Sequence, residues 1–194
     1  WDSFAKWVPY IVGARTEVVL AMDWTDFAHD EHATIMIFMV TRHGRATPLV
    51  WRTVDKATLK DHRNFHEDAV LRRLREVLLE GTQVTVLADR GFGDPKLFDS
   101  LQYELDFNYV IRFRENTYVT NSAGEKRKAA QWLSKTGRTR TLRNASITAD
   151  NSPVITIVCA QDKGMKEPWC LAASGRTLIN YYAKRWGIET AFRD

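Results

Sequence analysis

The sequence predicts a mixed α/β fold, a sheet flanked by helices, with a β-rich insertion ahead of a closing helix. Three observations predict it. Three apolar, β-branched runs follow one another through short connections between Glu17 and Val54. Helix-period and strand-period segments then alternate as far as Arg112. Beyond that point turn signals separate alternating runs, until helical character returns after Ser174-Gly175. The order strand-strand-strand-helix-strand-helix-strand belongs to a layered α/β architecture.

Trp1–Gly13 is aromatic-rich without a clear period and reads as a segment packed against the body. Glu17–Met22 is a short apolar run, the mark of a buried strand, and it ends at Asp23 in Asp23-Trp24-Thr25-Asp26. Ala33–Val40 is a second such run. A turn at Arg42-His43-Gly44-Arg45 leads into a third, Ala46–Val54, where Pro48 marks an edge strand. From Asp61 to Glu80, the residues Phe65, Ala69, Val70, Leu74, Val77 and Leu78 recur at helical spacing, with Gly81 as the stop. Gln83–Ala88 is a buried strand ending at Asp89. Asp94-Pro95 opens a helix reaching about Tyr103, with proline in the first turn. Phe107–Arg112 is a fifth strand.

The expected organisation is therefore a core whose first part is 1–112, an insertion over 113–172, and a closing helix over 173–194. Within the insertion the strand-like runs are Arg138–Thr148, Val154–Ala160 and Trp169–Ala172.

Composition narrows the class. The 194 residues are 44% hydrophobic and 27% charged, as in an ordinary globular chain. The longest apolar run, Ala33–Val40, falls far short of the roughly 18 residues of a membrane-spanning helix. Nothing at the start resembles a signal peptide, and a beginning at Trp1 reads as a piece of a longer protein. Cys159 and Cys170 lack zinc-site spacing and read as reduced thiols of a cytosolic protein. The net charge of +4 is unevenly spread: Arg112–Arg143 holds nine Lys/Arg against two Glu, so a basic segment sits on a mildly acidic body. That asymmetry points to a surface that contacts a polyanion. Its candidate contacts are Arg112, Arg114, Lys126, Arg127, Lys128, Arg138 and Arg140.

The chemistry-bearing residues are three carboxylates. Asp23 and Asp89 each follow a predicted buried strand, and active sites of open α/β sheets lie beyond strand carboxyl ends. In Tyr182-Ala183-Lys184-Arg185-Trp186-Gly187-Ile188-Glu189, helical geometry brings Tyr182, Arg185 and Glu189 within about 60° of one another. Three carboxylates in one place repel unless a cation joins them. Magnesium prefers such oxygen ligands, and two ions about 4 Å apart can serve an in-line phosphodiester reaction. Asp26 and Asp94 lie close enough to be mistaken for ligands, and strand-end aspartates also serve as caps and turn formers. His62 and His66, with Glu67 adjacent, do not follow the zinc-protease order, and the two histidines read as surface or helix-end residues. Arg72, Arg73 and Arg75 read as a solvated helix face, and Trp186 as a core anchor of the last helix.

These residues resemble the bacterial cut-and-paste DDE transposases with a ribonuclease-H-like core, insertion sequence family four. That group carries Tyr, two residues, Arg, three residues, Glu, six residues, Lys. Tyr182, Arg185 and Glu189 match three positions, and the lysine would fall two residues beyond Asp194. Met22-Asp23-Trp24-Thr25 resembles the family's first motif, and Leu87-Ala88-Asp89-Arg90-Gly91-Phe92-Gly93-Asp94 its second.

The resemblance implies a metal triad of Asp23, Asp89 and Glu189 holding two Mg2+, with Mn2+ able to substitute. It also accounts for Glu189 coming 100 residues after Asp89, a gap that the family fills with a β-rich insertion. Tyr182 and Arg185 would contact DNA phosphate, and Trp169 would stack on a base flipped out during hairpin formation. The implied partners are transposon-end DNA and target DNA. A homodimer is implied in the full-length complex, in a bacterial cytoplasmic, nucleoid-associated setting. A ribonuclease-H-like nuclease or resolvase without strand transfer, and an inactive DNA-binding relic, are the alternative readings of the same residues.

Overall fold

The computed structural model describes residues 1–26, 30–41, 46–134, 136, 138–161, 165, 167–175 and 179–182. They form a mixed α/β fold of strands and helices, the class predicted from the periodicity and implied by the ribonuclease-H-like resemblance. The chain divides into two compact units. Of the described residues, the first comprises Trp1–Leu87 and Leu105–Phe107, the second Ala88–Glu104 and the rest from Asn108 on.

The first unit is built on a meander. Strands β1 (Glu17–Asp26), β2 (His32–Val40) and β3 (Ala46–Asp55) pair antiparallel. With β4 (Gln83–Ala88) they run in the order β3-β2-β1-β4. β4 is buried at every position after Gln83, as its continuous apolar run requires. Pro48 does lie on an edge strand, beside a register break in which Ile37 faces Val50 and Phe38 faces Pro48. A residue without a backbone N–H is tolerated at such a place.

Two helices cover the meander. α2 (Arg63–Val77) packs on β2 and β3 and buries Val70, Leu71, Leu74 and Val77. Its predicted contact Phe65 is 63% exposed, while His66 and Glu67 are buried instead. The apolar stripe is therefore turned at its N-terminal end toward polar partners in the sheet. His66 Nδ1 has no partner among the described residues. Burial, followed by the charges of Arg52 and His62, pushes the His66 imidazole below its ordinary value. The unfolded chain takes up this proton near pH 6.5, whereas the folded chain takes it up only at lower pH. The stability associated with the neutral ring is thus complete above about pH 6.5 and declines as the pH falls below it. His66→Gln should flatten the acid limb of a Tm-against-pH curve in that window. An unchanged curve would mean that burial does not govern this histidine.

The N-terminal segment, expected to be irregular, is a helix, α1 (Phe4–Val12), with Pro9 inside it. Proline removes one helical hydrogen bond and typically costs about 3 kcal/mol there. Burial of Phe4, Val8 and Val12, spaced by four, compensates at about 1.5–3 kcal/mol each. Trp7 Nε1 also donates to the Pro48 carbonyl at 2.9 Å, fastening the helix to the edge strand.

The second unit contains α3 (Pro95–Asp99), which passes into a π turn over Ser100–Glu104, and β5 (Asn108–Arg112). The β-rich segment supplies β6 (Tyr118–Thr120), β7 (Lys126–Lys128), β8 (Arg140–Ile147), β9 (Ser152–Ala160) and β10 (Trp169–Ala173). Their order is β5-β10-β9-β8-β6-β7. Trp132 lies wholly buried beneath β6, its indole N–H donating to the Val119 carbonyl at 3.3 Å. Cys159 and Cys170 are free, buried and directly opposed across β9 and β10. The thiol–thiol hydrogen bond and burial push the Cys159 thiol up. A last short helix, α4 (Ile179–Tyr182), follows.

Candidate active site

Asp89 directly follows β4, as predicted. Its backbone is extended, and its Oδ1 accepts from the Gly91 N–H at 2.8 Å, capping a 3-10 turn over Arg90–Phe92. The surrounding glycines follow from sterics. A Cβ on Gly91 would lie 3.0 Å from Asp89 Oδ1, and one on Gly93 would lie 2.9 Å from the Phe113 Cβ. The motif Asp89-Arg90-Gly91-Phe92-Gly93-Asp94 therefore lays its backbone against the end of β5, with Phe92 buried as the anchor. Asp94, the rival carboxylate, caps α3 by accepting from Lys96 N–H at 3.0 Å.

Asp23 sits differently from expectation. β1 does not stop there but runs on to Asp26, because β2 continues to pair: Asp23 faces Met36, Trp24 faces Ile35 and Asp26 faces Ala33. What ends at Met22 is the fully buried part of the strand. Asp23 is half-buried, and its Oδ1 accepts from the Trp24 N–H at 2.9 Å. Trp24 is itself held, since its Nε1 donates to Glu67 Oε1 at 2.8 Å and the Arg63 guanidinium lies 5.0 Å from its ring.

In the sequence Glu67 stands only beside a histidine pair that lacks the zinc-protease order. No local pattern links it to Trp24, 43 residues away. Glu67→Ala should cost roughly 1–3 kcal/mol, the penalty for leaving a desolvated indole N–H without this acceptor, and Glu67→Gln much less. Equal losses in urea unfolding would contradict that role.

Arg185 and Glu189 lie outside the described residues, as does Trp186. Among the described residues no three His, Cys, Asp or Glu side chains form a group that could hold a metal ion. Asp23 and Asp89, each taken by itself, offer the donor type that magnesium or manganese prefers. Both are hard carboxylates, and each has one oxygen oriented by a backbone N–H.

The structure brings Trp169 and Tyr182 together, ring centroids 5.0 Å apart and edge to face, with Trp169 half-buried and Tyr182 buried. The basic candidates are dispersed, and several have intramolecular partners. Arg127 and Arg140 lie 5.2 and 5.1 Å from the Trp132 ring, and Arg127 also pairs with Glu125. Lys126 lies over Tyr118 and donates to the Ala149 carbonyl. Lys126, Arg127 and Lys128 form β7, an exposed edge strand whose charges discourage further pairing. Arg114 and Arg138 are exposed. Arg112 joins Arg90 on Glu167, an arrangement with no signature in the sequence.

Among the described residues no helix is long and apolar enough to cross a membrane. No curated protein sequence matches the chain. Solved structures with similarity include a Marinitoga piezophila Argonaute in complex with 5′ OH guide RNA and target DNA, at 10% identity and a TM-score of 0.28, covering 84% of this chain and 23% of that one. The same Argonaute with guide RNA alone gives 10% identity and a TM-score of 0.29, covering 84% and 24%. The chain thus spans about a quarter of the length of either. A family model described as the transposase DDE domain matches residues 14–194, a stretch that includes Asp23, Asp89 and Glu189. The chain belongs to the transposase DDE domain family.

Proposed function

We propose that this chain is the catalytic core of a cut-and-paste DNA transposase of insertion sequence family four, acting on transposon-end and target DNA. The observation that carries the reading is the family match over residues 14–194, within which all three carboxylate motifs occur in family order. Asp23, Asp89 and Glu189 are the residues that would hold two divalent ions, Mg2+ with Mn2+ as substitute. When bound, such ions lower the pKa of an attacking water and neutralise charge on the departing oxygen.

The chain's own residues supply the rest. Backbone N–H groups of Trp24 and Gly91 orient the two aspartates, and Glu67 holds Trp24 in place. Arg185 presents a planar fork suited to a DNA phosphate. Trp169, backed by Tyr182, offers an aromatic face for an unstacked base, a contact worth about 1–3 kcal/mol. The reaction class is phosphodiester hydrolysis that frees a 3′-hydroxyl, then attack of that hydroxyl on the opposite strand to give a hairpin end. A second hydrolysis opens the hairpin and restores the 3′-hydroxyl, and strand transfer by that hydroxyl into target DNA follows. The full-length protein would act as a homodimer in the bacterial cytoplasm, on nucleoid DNA.

The test is metal-dependent cleavage of the element's own end DNA by the full-length protein. Cleavage is expected with Mg2+ and lost in Glu189→Gln, and undiminished cleavage by that variant would sink the triad. Nicking without joining would instead favour a nuclease.

A further inference from the structure

In the second unit Glu167 Oε2 takes hydrogen bonds from two guanidinium groups at once, Arg90 Nη1 at 2.9 Å and Arg112 Nη2 at 2.8 Å. Arg112 Nη2 also donates to the Pro168 carbonyl at 3.1 Å. These residues line an open cleft of about 250 Å³ together with Arg114, Glu115 and Asn116. Arg90 enters the cleft because the Asp89 cap and the glycine-dependent turn fix its backbone, and Arg112 because it ends β5.

Each guanidinium carries five donors in a planar fork. One carboxylate oxygen shared between two forks leaves most of those donors unused. A phosphate group, with more acceptor oxygens and matching fork geometry, could engage both arginines. Glu167 is a weak competitor in energetic terms, since its side chain is half exposed and bridges of that kind contribute little. The Arg112 hydrogen bond, and then the Arg90 charge, hold its carboxyl below the usual range, so it is anionic at neutral pH.

We propose that Arg90 and Arg112 form a phosphate site for the DNA backbone that Glu167 fills intramolecularly in the free protein, so that a bound backbone must displace it. Glu167 is thereby an internal mimic of the ligand, lowering affinity for non-cognate polyanions. The cleft borders the turn capped by Asp89, so a seated phosphate would lie beside that residue's loop. The identification of the phosphate as that of DNA rests on the transposase reading, whereas the anion site itself does not.

The experiment measures binding of a random-sequence duplex of about 20 base pairs to the full-length protein by fluorescence anisotropy across a salt series. Inorganic pyrophosphate, followed by calorimetry, is the second probe. Glu167→Gln removes the competing charge while preserving shape. It should tighten duplex binding about threefold to tenfold and steepen the salt dependence by about one counterion. Arg90→Gln in the same background should reverse both effects, with thermal melts verifying that each variant is folded. Pyrophosphate binding should likewise appear in Glu167→Gln and vanish in the double variant. Pyrophosphate gain without any duplex binding would support the anion site and count against the DNA reading. Unchanged affinity for both probes in folded Glu167→Gln would overturn the proposal and leave Glu167 as a structural strap.

Discussion

Asp89→Asn should reduce metal-dependent strand cleavage by about a thousandfold or more while leaving the protein folded. Asparagine keeps an oxygen where Asp89 Oδ1 accepts from the Gly91 N–H, so the cap of the turn survives. What disappears is the negative charge. A metal-bound site supplies several kcal/mol of transition-state stabilisation, and each 1.36 kcal/mol is a factor of ten in rate. Asp23→Asn should behave alike, because the Trp24 N–H keeps its acceptor. Asp94→Asn is the contrasting control: asparagine caps helices as well as aspartate does, so cleavage should persist. Mn2+ binding by calorimetry gives a readout separate from turnover and should weaken in the first two variants only. Parent-like cleavage by Asp89→Asn, or its loss in Asp94→Asn, would show that the ligand had been misassigned within this motif.

The largest effect on stability should come from Trp132→Ala, at about 3–5 kcal/mol, the usual range for emptying a buried aromatic site. Trp132 is fully buried, its N–H is satisfied by the Val119 carbonyl, and the guanidiniums of Arg127 and Arg140 lie over its ring. Removing it opens a cavity, leaves the Val119 carbonyl without this donor and takes away the surface on which two arginines rest. For a domain of this size the melting temperature should fall by roughly 10 °C. Trp132→Phe should lose markedly less, because most of the apolar volume is kept. A shift of a degree or two for the alanine variant would mean that the β-rich segment is not organised around this residue. The same geometry bears on DNA contact. Arg127 and Arg140 serve the fold, so replacing either would change stability as well as affinity, whereas exposed Arg114 and Arg138 can be changed without that confusion.

Where periodicity was strong, elements were legible. Gln83–Ala88 forms the strand its apolar run announced, and Asp94-Pro95 opens a helix capped as its chemistry suggests. Edge placement followed from Pro48, which cannot donate to a ladder. The first helix was not legible, since a proline in mid-segment argues against a helix locally. Only the packing of Phe4, Val8 and Val12 and the Trp7 bond to Pro48 outweigh it. Phe65 and His66 show the reverse error. Hydrophobicity assigned the phenylalanine to the core, yet the helix is oriented by Glu67 reaching Trp24 and by Val70, Leu71 and Leu74.

The sequence by itself determined the alternation of strands and helices, the chain positions of Asp23, Asp89 and Glu189, and the basic bias of the segment after Arg112. These are local or additive properties, carried by period, motif and charge. Tertiary structure decided which polar groups meet. It extended β1 past Asp23 because β2 offered partners, set Glu67 behind Trp24, turned two basic residues onto Trp132, and brought Arg90 and Arg112 to a single oxygen of Glu167. Such encounters join residues tens of positions apart. Their energies depend on burial and direction, which no window of sequence contains.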